Sequence, residues 1–165
     1  ITDAIVTIND IEIPFDENRG YIDNGTLITL SPGSDYKVKI QYNGEILEKT
    51  VTMPPEPNIT SHNNNDAWDE TADTLVVWSP ASSSYDQNQV SIPWNDTSNG
   101  EAYDMIIPAT PPSHTILAGT LKSDDTMVTV NVITRTSISD FGPNYSPGST
   151  ILFKYEESIT VNTSI

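Results

Sequence analysis

The sequence predicts an all-β protein made of two antiparallel β-sandwich modules in tandem, of which the first is short. Runs in which apolar and polar residues alternate recur along the chain, and clusters of turn residues separate them. Helical spacing of apolar residues is nearly absent. The polar content comes mainly from Ser, Thr and Asn, which suit turns and strand faces and are poor in helix interiors.

The clearest pair of predicted strands covers residues 36–42 and 45–52, with Asn43-Gly44 between them. Asn-Gly is the strongest short hairpin signal, because both central residues of a type I′ turn need positive φ. Alternation gives the first of these strands an apolar face and a polar face, namely Tyr36, Val38, Ile40 and Tyr42 against Lys37, Lys39 and Gln41.

The remaining strand candidates follow the same alternation. In the first half they cover residues 4–8, 11–13 and 26–30, with a tight turn at Asn9-Asp10; in the second half they cover residues 74–78, 90–94, 103–107, 115–121, 127–134, 149–155 and 158–161. Pro93 predicts an edge or a bulge in its strand. Asn99-Gly100 predicts a second hairpin turn, and Ser123-Asp124-Asp125 an acidic turn between two later strands.

A proline cluster predicts where one module ends and the next begins. Pro54, Pro55 and Pro57 cannot donate ladder hydrogen bonds and favour an extended, stiff segment. We therefore expect a small module over residues 1–55 and a larger one over residues 56–165.

Two short motifs resemble fibronectin type III and related immunoglobulin-like domains. Residues 30–40 (Leu-Ser-Pro-Gly-Ser-Asp-Tyr-Lys-Val-Lys-Ile) resemble the E–F corner, which implies that the hydroxyl of Tyr36 hydrogen-bonds backward to the backbone. Residues 75–80 (Leu-Val-Val-Trp-Ser-Pro) resemble strand B, with Trp78 in the core. The first half also resembles Ig-like modules of secreted bacterial lipoproteins and adhesion proteins, which implies a secreted or cell-surface location.

Charge and composition exclude several classes of function. The net charge is −16, and the chain has seven basic residues, so it cannot form the basic stripe that tracks phosphates in nucleic acids. The same charge disfavours docking on an anionic membrane. No apolar run approaches ~20 residues, so no transmembrane segment is expected. Without cysteines there are no disulfides and no thiolate chemistry.

Calcium is the chemical hypothesis that the loops favour most. Calcium takes oxygen ligands from carboxylates, amides and carbonyls in flexible loops. Residues 63–73 offer four carboxylates, Asp66, Asp69, Glu70 and Asp73. Residues 16–25 are a second acidic loop, but Arg19 counts against it, and an ordinary solvated loop is the alternative for both. No other cofactor is expected, and His62 and His114 are expected to be loop residues without a catalytic role.

Four aromatic residues in or beside loops suggest a carbohydrate-binding surface: Trp68, Tyr85, Trp94 and Tyr145. Aromatic faces with Asp and Asn nearby can stack on a sugar and hydrogen-bond it. The alternative is that these rings close the ends of the sandwich core, where a large aromatic side chain buries ~150–250 Å².

The predicted function is that of an extracellular or cell-surface structural or interaction protein, such as an adhesin, a pilus or filament subunit, or an accessory lipoprotein, and not an enzyme. A first module of about 55 residues is short for an Ig-like domain of about 100 residues, so we expect open sheet edges that a protein partner or self-assembly covers, through strand exchange from residues 1–8 or 159–165. The alternatives are a carbohydrate-binding module and part of a secreted glycoside hydrolase.

Overall fold

The computed structural model describes residues 3–18, 20–23, 25–80, 85–122, 127–139 and 150–163, and within them it confirms the prediction of an all-β protein. In chain order the strands are β1 (Ile5–Ile8), β2 (Ile11–Glu12), β3 (Phe15–Asp16), β4 (Gly20–Tyr21), β5 (Asp35–Tyr42), β6 (Glu45–Thr52), β7 (Asn58–Ile59), β8 (Thr74–Ser79), β9 (Gln87–Ile92), β10 (Tyr103–Pro108), β11 (Ser113–Ile116), β12 (Met127–Ile138) and β13 (Ile151–Asn162). A short 3₁₀ helix, Trp94–Asp96, lies between β9 and β10. In this part of the chain no helix has the length and apolar character needed to cross a membrane.

The chain divides into two compact units. Ile1–Met53 and Thr136–Leu152 belong to the first unit, and Pro54–Arg135 and Phe153–Ile165 belong to the second. One division therefore falls at the proline cluster, and the other two fall inside the long strands β12 and β13. The arrangement of two tandem Ig-like modules, over residues 1–55 and 56–165, stays a prediction.

The first unit contains a four-stranded antiparallel sheet in the order β2-β1-β5-β6. Both hairpin turns predicted in this unit are confirmed. Asn43 and Gly44 have φ of 49° and 80°, and Asn9 and Asp10 have φ of 48° and 63°. These are the positive values that a type I′ turn requires, and they set the partners Tyr42↔Glu45 and Ile8↔Ile11.

The apolar face of β5 packs into the core of the first unit, as the alternation predicts. Tyr36, Val38 and Ile40 are buried together with Val6 and Val51 from the neighbouring strands. The amide of Ser31 donates to the hydroxyl of Tyr36 at 2.7 Å, and that hydroxyl donates to the carbonyl of Thr29 at 3.4 Å. This is the backward bond that the resemblance implies for Tyr36, while membership of the family stays a prediction.

The strand predicted at residues 26–30 is wrong, because a carboxylate captures the amides that a ladder would need. Asp23 accepts hydrogen bonds from the amides of Thr26, Leu27 and Ile28 at 3.0, 3.2 and 2.9 Å. A side chain that bonds the backbone locally competes with sheet pairing. Desolvation raises the pKa of Asp23, but the hydrogen bonds from Leu27, Thr26 and Ile28 outweigh it, so the pKa lies below its usual value.

The second unit is sandwich-like, because two sheets share one hydrophobic core. One sheet has the order β10-β9-β12-β13 and the other the order β11-β8-β7. The core draws on both sheets and on two connecting segments, and it consists of Ile59, Trp68, Val76, Trp78, Val90, Ile92, Ile116, Leu121, Val128, Val130, Val132, Ile159 and Val161. Burial of each aliphatic side chain contributes about 1.5–3 kcal/mol, which makes this cluster the main source of stability in the unit.

A single buried amide, that of Asn88 on β9, joins the two sheets of the second unit. Its Oδ1 accepts hydrogen bonds from Trp78 Nε1 at 3.1 Å and from the Tyr85 hydroxyl at 3.0 Å. Its Nδ2 donates to the carbonyl of Pro108 at 3.0 Å. The residue is fully buried, and these three bonds satisfy polar groups that would otherwise lie in an apolar core.

Several predicted strands of the second half need correction. Pro93 does not mark an edge or a bulge: β9 ends at Ile92, lies between β10 and β12, and is followed by the 3₁₀ helix. Asn99-Gly100 does not form a two-residue hairpin turn, because the longer connection of residues 93–102 joins β9 to β10. The strands predicted at 149–155 and 158–161 are one strand, β13, and the strand predicted at 115–121 is the shorter β11. The acidic turn predicted at residues 123–125 lies outside the described residues.

Replacing Asn88 by Ala tests the buried amide. The change leaves Trp78 Nε1 buried without an acceptor and removes the shortest hydrogen bond of the Tyr85 hydroxyl, which keeps the carbonyls of Pro80 and Ala109. We therefore expect the free energy of unfolding to fall by about 2–4 kcal/mol. Urea denaturation followed by tryptophan fluorescence measures it, since Trp68, Trp78 and Trp94 all lie in the second unit.

Asn131→Ala is the matched control for this substitution. Asn131 lies on the adjacent strand β12, and its carbonyl oxygen accepts from Ser158 in an exposed position, so we expect a loss below about 1 kcal/mol. Equal losses in the two variants would contradict the role given to Asn88.

Candidate functional site

Three of the four carboxylates predicted to bind calcium accept hydrogen bonds from the backbone. Asp66 binds Asn63 N, Asp69 binds Thr71 N and Asp73 binds Ala118 N, each at 2.8 Å. Both the hydroxyl and the amide of Thr71 hold the pKa of Asp69 below its usual value. Glu70 lies nearby and its carbonyl accepts from Gly119 N at 2.6 Å.

These carboxylates do not form a metal centre in the structure. Among the described residues, no group of three or more His, Asp or Glu side chains is arranged to hold a metal ion. Calcium binding at Asp66, Asp69, Glu70 and Asp73 therefore stays a prediction from the sequence, without a cluster to support it.

The four predicted sugar-binding aromatics do not form one surface. Trp68 and Tyr85 are each only 4% exposed, so neither ring offers a face to solvent. Trp94 begins the 3₁₀ helix, and its side chain is outside the described part of the molecule, as is the whole of Tyr145. The alternative reading, in which such rings close the core, fits Trp68 and Tyr85.

The two histidines occupy different surroundings. His62 lies in a loop as expected, with its ring centroid 4.6 Å from that of Trp68 and its Nδ1 2.7 Å from Ser61 Oγ. Ser61 Oγ also accepts the amide of Val77 at 2.9 Å, so this serine is part of the local backbone structure. The expectation of a loop is wrong for His114, which lies in β11 with its Nε2 2.5 Å from the Tyr103 hydroxyl.

One open cleft of the second unit combines apolar and polar groups. Its volume is about 300 Å³, and it is lined by Thr97, Ser98, Asn99, Glu101, Ala102, Tyr103, Leu117, Ala118, Gly119 and Thr120. Leu117 is 62% exposed, and Tyr103 is half-buried beside it. Of the lining residues only Glu101 carries a carboxylate, so the cleft does not contain the pair of carboxylates that glycoside hydrolysis needs.

Hydrogen bonds join the two walls of this cleft, residues 97–103 and 117–120, and also order the first of them internally. Ser98 N donates to Thr120 O at 2.9 Å, and Thr97 Oγ1 donates to Glu101 O at 2.6 Å. The amide of Glu101 donates to Asn99 Oδ1 at 3.0 Å, which fixes that side chain at the rim. Sequence reasoning missed Tyr103 because it lies within a strand pattern, although the adjacent Asn99-Gly100 turn marks the rim.

The second candidate surface is the outer edge of β6 in the first unit. The eight-residue strand β6 pairs with β5 on one side and ends the sheet in the order β2-β1-β5-β6. Beyond it, no other strand among the described residues pairs with β6. At the opposite end of the sheet, β2 has only two residues, so β6 is the longer edge.

The register identifies which backbone groups of β6 point outward. Met53 N donates to Ser34 O at 2.8 Å, and the pairing of β5 with β6 continues this register to Tyr42↔Glu45. Hydrogen-bonded pairs alternate along an antiparallel ladder, so the odd-numbered residues of β6 bond to β5. The N–H and C=O groups of the even-numbered residues therefore face away from the sheet: Ile46, Glu48, Thr50 and Thr52.

Among the described residues, neither terminal segment is the free donor strand that the sequence suggests. Within residues 1–8, β1 lies between β2 and β5 and pairs with both. Within residues 159–165, Ile159 and Val161 are buried in the core of the second unit as part of β13. Strand exchange would first have to remove these segments from their own sheets.

The lowered pKa values of the two histidines predict a loss of stability in mild acid. Burial lowers the pKa of His62 and of His114, and the attraction of Asp66 only partly offsets this for His62. As the pH falls, the two histidines are protonated in the unfolded chain, at their ordinary pKa of about 6.5, before they are protonated in the folded protein. Protonation therefore favours the unfolded state, and the free energy of unfolding decreases from about pH 6.5 towards pH 5. Urea midpoints measured from pH 8 to pH 5 should decrease, and a His62→Gln/His114→Gln double variant should show a flatter profile. An unchanged slope in that variant would contradict this assignment.

Comparisons with known proteins give this chain no family. No protein-family model matches it, and no curated protein matches it significantly. What the protein does must therefore be inferred from the cleft and from the edge of β6.

Proposed function

We propose that this chain is an extracellular or cell-surface structural or interaction protein that binds a protein partner through the edge of β6. The observation that carries the proposal is the row of outward backbone groups on Ile46, Glu48, Thr50 and Thr52. A strand laid along such an edge gains main-chain hydrogen bonds at every second residue. The location follows from the resemblance to secreted modules and is part of the proposal.

The edge lacks most of the devices that usually prevent edge-to-edge association. Proteins protect edges with proline, bulges, very short strands or charges. β6 contains no proline, pairs regularly with β5 over its full length and is rich in β-branched residues. Ile46, at the outward side of this edge, is 60% exposed. Three charged residues, Glu45, Glu48 and Lys49, are the remaining protection, and they restrict which strand can bind.

Amide hydrogen exchange on dilute protein tests whether the edge is open. We expect the amides of Ile46, Glu48, Thr50 and Thr52 to exchange at least about tenfold faster than those of their neighbours Leu47, Lys49 and Val51, because only the latter donate to β5. NMR detection at a concentration where light scattering reports a monomer gives the rates residue by residue.

The corresponding amides of β5 are an internal control for this experiment. Both sides of β5 are paired, since Asn9 N donates to Lys37 O at 2.9 Å on the side of β1. The amides from Lys37 to Tyr42 should therefore all be protected. Equal protection of even and odd residues in β6 of the monomer would mean that the edge is covered, and would rule out the proposed function.

A second candidate function is carbohydrate binding in the cleft lined by Tyr103 and Leu117. The observation that favours it is the combination of an aromatic ring and an exposed aliphatic side chain with Asn99 and Glu101 in about 300 Å³. Ligand sites combine apolar walls with a few polar groups that fix orientation in this way, and this volume is at the small end of their range. A site of that size suits one or two sugar rings.

Glu101→Gln tests the carbohydrate hypothesis. If the carboxylate accepts a sugar hydroxyl, its loss should weaken binding of a neutral oligosaccharide about tenfold, since hydrogen bonds to charged groups are the stronger ones. Asp104→Asn is the matched control, because Asp104 lies three residues further along the chain, in β10 and outside the cleft, and accepts a hydrogen bond from Gln89 Nε2 at 2.6 Å. NMR titration with a panel of soluble oligosaccharides should shift residues 97–103 and 117–120, and the absence of such shifts would exclude this function.

A further inference from the structure

We infer that the partner of β6 is a second copy of this chain, whose β6 pairs antiparallel with the first about Leu47. The inference rests on the proposed function, since it names the occupant of the same open edge. Two features carry it: the charge balance of the β5–β6 hairpin, and the register in which its charged residues complement one another.

The β5–β6 hairpin is electrically neutral in a strongly acidic chain. Residues 35–52 contain three acids, Asp35, Glu45 and Glu48, and three of the seven basic residues, Lys37, Lys39 and Lys49. The remaining 20 acids and four bases account for the whole net charge of −16. Two copies repel one another over most of their sequence, but not where the two hairpins meet, so this edge is where self-association costs least electrostatic free energy.

The outward groups of β6 restrict how two copies can align. Only residues with even numbers can form hydrogen-bonded pairs across the new interface, because only their N–H and C=O groups face outward. A two-fold axis that lets at least two outward residues of each copy pair then passes through Leu47, Glu48, Lys49, Thr50 or Val51. An axis at Glu48 sets Glu48 against Glu48 of the second copy, and an axis at Lys49 likewise sets two lysines against each other. Like charges directly opposite each other destabilise a sheet.

The axis at Leu47 is the register that pairs opposite charges. It sets Glu45 against Lys49 of the second copy on both sides of a central Leu47–Leu47 contact. These are non-hydrogen-bonded positions, where the side chains of an antiparallel pair approach most closely. The axes at Thr50 and Val51 pair no charges. They set Ile46 and Glu48, respectively, against Pro54, which has no N–H to donate.

A pairing of this kind closes on itself. Both copies present the same residues, so the interface is isologous, and each copy uses the one long edge of its β2-β1-β5-β6 sheet. The other end of the sheet, β2, has only two residues and cannot extend the ladder by the same interaction. The expected assembly is therefore a two-fold dimer with an eight-stranded sheet, and not a filament.

Exchanging the two charges tests the register. Glu45→Lys and Lys49→Glu each create two like-charge pairs in a homodimer, so each variant alone should dimerise at least about tenfold more weakly than the wild type by sedimentation equilibrium. An equimolar mixture of the two variants restores both opposite-charge pairs in a heterodimer. It should regain the wild-type dissociation constant within about threefold, as should the double variant. A mixture no tighter than the separate variants would overturn the register.

A backbone test uses one position with two substitutions. Glu48→Pro removes an outward N–H next to the axis, whereas Glu48→Gln removes the same charge and its ion pair with Lys37 (2.9 Å) but keeps the N–H. We expect dimerisation to be lost in the first variant and retained in the second, with thermal melting showing that both are folded. Equal dimerisation in both would overturn the inference.

The outcomes separate this inference from the proposed function. A wild-type chain that stays monomeric up to about 1 mM, with fast-exchanging even-numbered amides in β6, overturns self-pairing and leaves the edge available to another protein. A monomer whose even-numbered β6 amides are protected overturns the proposed function itself.

Discussion

The second unit depends on one interaction, the set of hydrogen bonds made by the buried amide of Asn88. An apolar side chain at this position would leave the indole N–H of Trp78 without an acceptor inside the core and would remove the shortest hydrogen bond of the Tyr85 hydroxyl. With asparagine there, two large aromatic residues lie deep between the sheets and still satisfy their polar atoms. The bond from Trp78 on β8 ties the two sheets together at Asn88, while the same amide donates to Pro108 on β10 within its own sheet.

Local chemistry made part of the fold predictable. The turns at Asn9-Asp10 and Asn43-Gly44 demand positive φ, and the alternation in β5 leaves one choice of buried face, so the hairpins of the first unit could be derived from residues alone. The strand predicted at residues 26–30 failed because the carboxylate of Asp23 competes for the same amides. Alternation cannot show such a competitor, since it counts apolar residues and not hydrogen bonds.

The candidate sites were less predictable than the strands. Aromatic residues beside polar segments look alike whether they face solvent or the core, and Trp68 and Tyr85 turned out to be buried. Tyr103 reaches the cleft because the connection of residues 97–102 folds back on the turn at residues 117–120, a contact between distant segments. The open edge of β6 was expected in general terms from the short first half, but its location depends on β1 pairing with β5, which the sequence does not specify.

The length of the Asn43-Gly44 turn has a consequence beyond closing the hairpin. A two-residue loop makes Tyr42 and Glu45 a hydrogen-bonded pair, and that pair determines the phase of every bond along β5 and β6. A pairing shifted by one residue would reverse this phase, so that Leu47 and Lys49 would present their backbones outward and Ile46 and Glu48 would turn inward. The turn at the tip of the hairpin therefore determines which residues of β6 offer their backbone N–H and C=O groups at the edge of the sheet.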